Sequence, residues 1–359
     1  MNWNVYSWAD KLPDKSLECY EPNLKLFFET MYERQKIWVR RFIEKKPRPW
    51  SDNPILANHK FTNVYRELDR SSQFLIHKIM IPMDEEGCSD LNMLWKMMVY
   101  RTFNNPETFS FEPSELNKDL FGDAEQYIPS SRWRHGIPDF EEYDEDEWAK
   151  FIDGVRANGK NPFTNAYPIN SSFAPQDKRD YAYTHKMLPV LHSKMKEIYE
   201  VIKTSEYAED IIDELNTLPS VSNFISHEYY QDLTYLQRYT KRDFMRFDQN
   251  DYTNVGPGAS IGIRLIFPNL QTIKAQKQAI YHLKNIAKKE LAKISEERGE
   301  KSFPFLYWNR AKKEYYTTPV CNITLHQIEM WLCEFQKYWK MTIGKGKQRS
   351  KFVPKTKIF

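Results

Sequence analysis

The sequence predicts a mainly α fold with small irregular or β insertions, and three observations carry that expectation. Apolar residues recur at helical spacing in 24–46, 90–103, 193–215, 272–298 and 325–339. Strand-like alternation is confined to NPFTNAYPINSSF (161–173) and EYYTTPV (314–320). Only 11 glycines occur in 359 residues, yet Gly256, Gly258 and Gly262 cluster with Pro257 in NVGPGASIGIRLIF (254–267). Such clustering reads as a turn between helices.

Taken in order, the first helix, LKLFFETMYERQKIWVRRFIEKK (24–46), ends in a basic turn before Pro47. DLNMLWKMMVYRTF (90–103) follows. The segment DFEEYDEDEW (139–148) holds seven acids and no base, and with the polar stretch near 158–161 it reads as a surface insertion. Helices are expected over 193–215 and within FISHEYYQDLTYLQRYTKRDF (224–244), with a polar approach to the Gly-Pro-Gly turn. The expected organisation is an N-terminal helical region over 1–200, with its acidic insertion near 139–160. A C-terminal helical region follows over 201–340, then a basic tail over 341–359.

The composition, 41% hydrophobic and 15% aromatic, suits a folded chain with a sizeable core. Lys and Arg total 52 against 49 Asp and Glu, so overall charge does not announce a nucleic-acid binder. The basic tail fits anionic partners. Four cysteines without a C-x-x-C pair, and no leader, suggest reduced thiols in a cytoplasm. No apolar run reaches the length of a membrane span. No histidine pair sits at zinc-binding spacing, so no metal is expected. The nucleotide-binding signature G-x-x-x-x-G-K-[ST] is absent, so no cofactor and no phosphoryl transfer by this chain are expected.

Helix, Gly-Pro-Gly turn and second helix together read as a helix–hairpin–helix. Its second helix presents unpaired N–H groups to a phosphate oxygen. Gly256, Gly258 and Ser260 are the expected backbone contacts, holding DNA without reading its sequence. A simple helix cap remains the alternative.

FTNVYRELDR (61–70), MVYRTFNNPETF (98–109), NPFTNAY (161–167), QDLTY (231–235), NVGPGASIGI and WLCEFQKY (331–338) occur in this order. Together they resemble the alpha-glutamyl/putrescinyl-thymine pyrophosphorylase-like family, related to the helical domain of hydroxymethyluracil DNA kinases. The resemblance implies a helix–hairpin–helix DNA-glycosylase-like fold, with double-stranded phage DNA carrying modified bases as partner. Two departures stand out. Gln336 replaces an aspartate, and Glu228 replaces a glutamine four residues before Asp232.

The chemistry implied is excision of a hypermodified pyrimidine through an oxocarbenium-like state, with a carboxylate near the developing charge. Gly262 stands where a Schiff-base lysine would follow the hairpin, so a monofunctional DNA glycosylase leaving abasic sites is expected, in anti-phage defence. The alternative is a transferase that adds an amine or amino acid to an activated 5-hydroxymethyl-pyrimidine. A DNA-binding protein without catalysis is a third reading. No acid occurs between Asp251 and Glu290, so Glu334, Asp232 and Glu228 are the catalytic candidates. Glu228 and Asp232 share a helix face, and such a pair requires a proton or a cation. Lys337, one turn beyond Glu334, is expected to hold a phosphate, a sugar hydroxyl or Glu334 itself.

Asn63, Arg66, Asp69 and Arg70 are expected to cluster on one helix side and grip a phosphate or a polar base edge. A buried Arg–Asp network is the competing reading there, and for Arg101 and Asn104. Extrusion of a base needs aromatic walls, for which Tyr65, Phe103, Tyr167, Tyr229, Tyr230 and Tyr235 are candidates, although most such rings form core.

Overall fold

A computed structural model describes residues 17–109, 136–157, 159–164 and 171–346. Nine helices of eight or more residues occur among them. In chain order they are α1 (Glu21–Trp38), α2 (Asp90–Phe103), α3 (Glu145–Ala157), α4 (Leu188–Thr204), α5 (Ala208–Leu215), α6 (Asn223–Tyr239), α7 (Pro257–Ile266), α8 (Ile273–Glu297) and α9 (Leu325–Thr342). Strands β1 (Phe305–Asn309) and β2 (Glu314–Thr318) pair antiparallel, with Tyr307 opposite Tyr316. The fold is mainly α.

Two compact units share the chain. One runs to Asp69 and resumes at Gln249, and the other is Arg70–Asp248. The boundary expected at 200/201 falls inside α4.

In the first unit, α1, α7, α8 and α9 surround one core that includes Phe27, Phe28, Ile263, Leu283, Leu332 and Phe335. Phe27 meets Phe335 edge-on at 5.5 Å, and the Trp331 indole donates to the Phe27 carbonyl at 3.2 Å. Thr324 and Gln327 form a capping box at the start of α9. The close approach of α7 to α9 requires glycine. A Cβ on Gly262 would lie 2.4 Å from the Leu332 carbonyl oxygen, and one on Gly258 would lie 3.0 Å from Cys333 Sγ. Glycines four residues apart thus give α7 a face without side chains. No lysine fits at 262, whatever the chemistry.

In the second unit, α2 runs through the centre, with Trp95, Met97, Met98, Tyr100 and Phe103 fully buried. Phe103 stacks on Phe163 at 4.7 Å. The acidic segment is not a loose insertion. Phe140 and Trp148 are buried, and Glu145, Asp146 and Glu147 occupy the first turn of α3, where the helix dipole favours them.

Other expectations shift in detail. Residues 193–215 form two helices, α4 and α5, interrupted at Ser205. The helix sought within 224–244 ends at Tyr239. Asp84 explains the stop: it accepts the Lys241 backbone N–H and the Arg242 Nε, each at 3.0 Å, and draws the chain out of helical geometry. Residues 240–256 carry no helix, so the Gly-Pro-Gly stretch is not a tight link between two helices. Gly256 is instead the N-cap of α7, with Pro257 at its first position. The β element expected at 314–320 exists as β2, and its partner β1 was not foreseen. Residues 165–170 of the other expected β stretch lie outside the described residues.

Gly262→Ala should cost about 1–3 kcal/mol, because the new methyl meets backbone that cannot rotate away. Gly256→Ala, with open space around its Cβ, should cost less than about 1 kcal/mol. Urea unfolding of both variants checks the ranking.

Candidate functional site

The first unit gathers the most distinctive charges. FTNVYRELDR is not a helix, for it contains only a 3-10 turn over Arg66–Leu68. Asn63 organises the loop. Its backbone N–H and its amide both donate to Asp69 Oδ1 at 2.9 Å, and the amide also donates to the Leu68 carbonyl. These bonds offer the backbone an alternative to helix, as short polar side chains commonly do. Arg66 Nε lies 2.6 Å from Asp69 Oδ2. Asn63, Arg66 and Asp69 are therefore brought together, as expected, but by a loop.

Arg34, on α1, clamps this loop. It donates to Asn63 Oδ1 at 2.7 Å and to the Thr62 carbonyl at 3.0 Å. Burial pushes its pKa down to about 10, against the pull of Asp69 and Glu334, so it stays charged at neutral pH. Burial likewise pushes the Asp69 carboxyl up, opposed by Arg66, the Asn63 N–H and Arg34. From α9, Glu334 accepts Lys337 Nζ at 2.6 Å and, more weakly, the Thr62 N–H at 3.4 Å. The Glu334 side chain is 3% exposed and that of Lys337 is 47% exposed, so the ammonium marks the solvent edge.

Three cations (Arg34, Arg66, Lys337) and two carboxylates (Asp69, Glu334) meet here, with the Lys337 ammonium at the solvent edge. Thr62 Oγ1 is buried with no hydrogen-bond partner among the described residues. A buried orphan hydroxyl calls for an explanation, and a bound ligand is one. The same helix carries Gln336, whose Oε1 is also buried without such a partner. Arg34 and Thr62 were missed in the sequence. Arg34 is separated from the loop by almost thirty positions, and nothing in its local pattern distinguishes it from an ordinary helix-surface arginine.

The second unit turns its charges inward. Arg101 grips Asp232 with two bonds, Nε to Oδ2 at 2.6 Å and Nη2 to Oδ1 at 2.5 Å. Asn104 accepts from its Nη1 at 3.1 Å, and Glu228 lies 3.6 Å from the same nitrogen. Arg101, Glu228 and Asp232 are at most 2% exposed. The acid pair at i, i+4 thus faces a cation, one of the two solutions its spacing required. Both Asp232 oxygens are engaged by one guanidinium, which fits a structural ion pair better than a catalytic carboxylate.

Of the remaining candidates, Arg70 pairs with Glu107 at 3.0 Å in the second unit, outside the Asn63 cluster. Gly256, Gly258 and Ser260 form the first turn of α7. Gly258 faces Cys333 there, a packing role. Tyr65, Phe103, Tyr229, Tyr230 and Tyr235 are each at most 1% exposed, so they build core and not pocket walls. Tyr167 and most of the basic tail lie outside the described residues. No helix of the described residues is long and apolar enough to cross a membrane.

Residues 21–348 match the family described as 5-hmdU DNA kinase, helical domain. The chain belongs to this family. The 5-hmdU DNA kinase of Bacillus phage SP10 is 27% identical over 324 residues, which are 88% of this chain and 44% of that protein. The chain therefore spans less than half the length of this relative. No solved structure matches the chain.

These findings overturn the expected glycosylase. Family and relative both point to phage DNA modification of the kinase or transferase kind, not to hydrolytic excision of a flipped base. The relationship to the helical domain of hydroxymethyluracil DNA kinases holds.

The two charged clusters should respond differently to substitution. Asp232→Ala leaves Arg101 buried beside Glu228 alone and should cost about 3–5 kcal/mol. Lys337→Met, at a half-exposed ion pair, should cost about 1 kcal/mol or less. Thermal or urea unfolding measures both, and a larger loss for Lys337→Met would reverse the assignment of scaffold and site.

Proposed function

We propose that this chain acts in phage-type DNA hypermodification, as a helical transferase that replaces a phosphate-activated hydroxyl on a 5-hydroxymethyl-pyrimidine with an amine. Family membership over residues 21–348 supports the pathway class. The observation that carries the geometry is the cluster of Arg34, Asn63, Arg66, Asp69, Glu334 and Lys337, with the Lys337 ammonium at its solvent edge and the orphan Thr62 hydroxyl.

In the proposed step, the amine nitrogen forms a bond to the exocyclic methylene carbon. The carbon–oxygen bond breaks, and its electron pair leaves on the phosphate oxygen. Lys337 and Arg34 neutralise charge that grows on that oxygen, the kind of preorganised stabilisation that contributes most to such reactions. Glu334 takes the proton released by the new ammonium. Its Oε2 is suited to this, since Oε1 is held by Lys337 and the Thr62 contact to Oε2 is long. Asn63 and Asp69 are positioning residues that hold the loop.

The test uses duplex DNA carrying phosphorylated 5-hydroxymethyldeoxyuridine, incubated with the protein and a set of alkylamines and amino acids. Mass analysis of the nucleosides should show an amine adduct with release of the phosphate group. Glu334→Gln should lower the rate about 10²–10⁴-fold. Unchanged nucleosides with every amine, or abasic sites in place of adducts, would refute the proposal.

A further inference from the structure

The loop that follows α1 concentrates cations around a single indole. Between Val39 and Ser51 the chain carries Arg40, Arg41, Lys45, Lys46 and Arg48 against Glu44 alone. Arg41 lies 5.1 Å and Arg48 5.5 Å from the centre of the Trp50 ring, with Arg41 also 4.5 Å from Phe42. Two guanidiniums drawn to one ring repel each other. Burial, and then the neighbouring charge of Arg48, hold the Arg41 pKa below its ordinary value. Such a pair is relieved by an anion placed between or beside its members.

The loop is also rigidly tied. Lys45 adopts a left-handed conformation (φ 51°), which lets the Lys46 N–H reach back to the Arg40 carbonyl at 2.8 Å. The Trp50 indole donates to the Lys46 carbonyl at 2.7 Å, and Arg40 donates to the Trp50 carbonyl at 2.6 Å. Arg40 is anchored on buried Glu33, which also holds Arg298 at 2.7 Å. Arg48 donates to the Ala57 carbonyl at 3.1 Å. Cations fixed in this way lose little further freedom on binding.

Beside the loop is a cleft of about 670 Å³ lined by Arg48, Trp50, Ser51, Asp52 and Asn58 among others. Asp52 is the one acid in its lining, and Lys45, Lys46 and Arg48 are exposed. Arg41 follows Arg34 by seven residues along α1 and the helical turn that continues it to Ile43, which sets the patch and the charged cluster on one element. Tyr338, one residue beyond Lys337, donates no further charge but packs with Ile37, Leu56 and Phe61 under the loop.

We infer that Arg41 and Arg48, set on Trp50, form a docking site for the phosphodiester backbone of DNA, leading the strand to the Arg34–Glu334–Lys337 cluster. The inference rests on DNA being the substrate, but not on the chemistry performed on it. Contact with backbone phosphate positions a strand without reading its sequence, so unmodified duplex should bind.

The experiment is fluorescence anisotropy of the full chain with an unmodified duplex, over a range of salt. Each phosphate neutralised contributes about 0.9 to the slope of log affinity against log salt. The Arg41→Gln/Arg48→Gln double variant should bind more weakly and lose about 1.8 from that slope. The Arg41→Lys/Arg48→Lys variant should keep most of it, which separates lost charge from lost packing. Lys288→Gln/Lys289→Gln, at exposed positions of α8, changes net charge equally and should keep the wild-type slope. An unchanged slope in the Gln variant, or equal losses in both Gln pairs, would overturn the inference. So would loss of inorganic triphosphate binding with the DNA slope intact, which would assign the site to a small polyphosphate. Amine transfer is measured separately, so failure of that chemistry with the slope effect present would leave the docking site standing.

Discussion

The close approach of α7 to α9 at Gly262 is the constraint on which the rest of the first unit depends. With no side chain at 262, the Leu332 carbonyl can sit where a Cβ would otherwise be. That contact fixes the height and rotation of α9. Two residues after Leu332 stands Glu334, and one turn later Lys337, so the reacting edge inherits its position from a packing contact. Protein interiors transmit such displacements because they are close-packed. A helix held off by one methyl would move Glu334 away from the Thr62 N–H and Lys337 away from the loop that Arg34 clamps.

The two units illustrate opposite uses of buried charge. In the second, Arg101 is surrounded by Asp232, Glu228 and Asn104, all away from solvent. Desolvation is compensated internally, and the network specifies how α2 and α6 meet. In the first, Arg34, Arg66 and Lys337 meet Asp69 and Glu334, and Lys337 reaches solvent. That open cationic edge is what the proposed anion site uses. The tied cationic loop at Trp50 carries the same sign of charge, and the inferred docking of DNA there rests on it.

Much of this was readable from residues in order. The helical spacing of 90–103, 272–298 and 325–339 reappears as α2, α8 and α9, because apolar periodicity of that length has no other stable solution. The Glu334–Lys337 pair follows from three-residue spacing on a helix. What failed did so for identifiable reasons. FTNVYRELDR has helical spacing, but Asn63 and Asp69 satisfy each other and the backbone, so the loop wins. The Gly-Pro-Gly stretch resembles a turn between helices, but Gly256 caps α7 and Gly258 packs on Cys333. That both Asp232 oxygens are held by Arg101, more than a hundred residues earlier, could not be read from the local pattern. Arg34 acts only through the tertiary fold, and no local pattern reveals it. The expected glycosylase chemistry is corrected by the family match and not by any local pattern.

The central claim is that the Arg34–Glu334–Lys337 cluster binds the anion that departs in the reaction. Isothermal titration of the protein with inorganic phosphate tests it most directly. The account predicts one site per chain, with affinity reduced about tenfold or more in Lys337→Met, a loss of about 1.4 kcal/mol. Arg70→Gln, at the exposed pair with Glu107 in the other unit, should bind like wild type. Absence of binding, or equal affinity in wild type and Lys337→Met, would contradict the account.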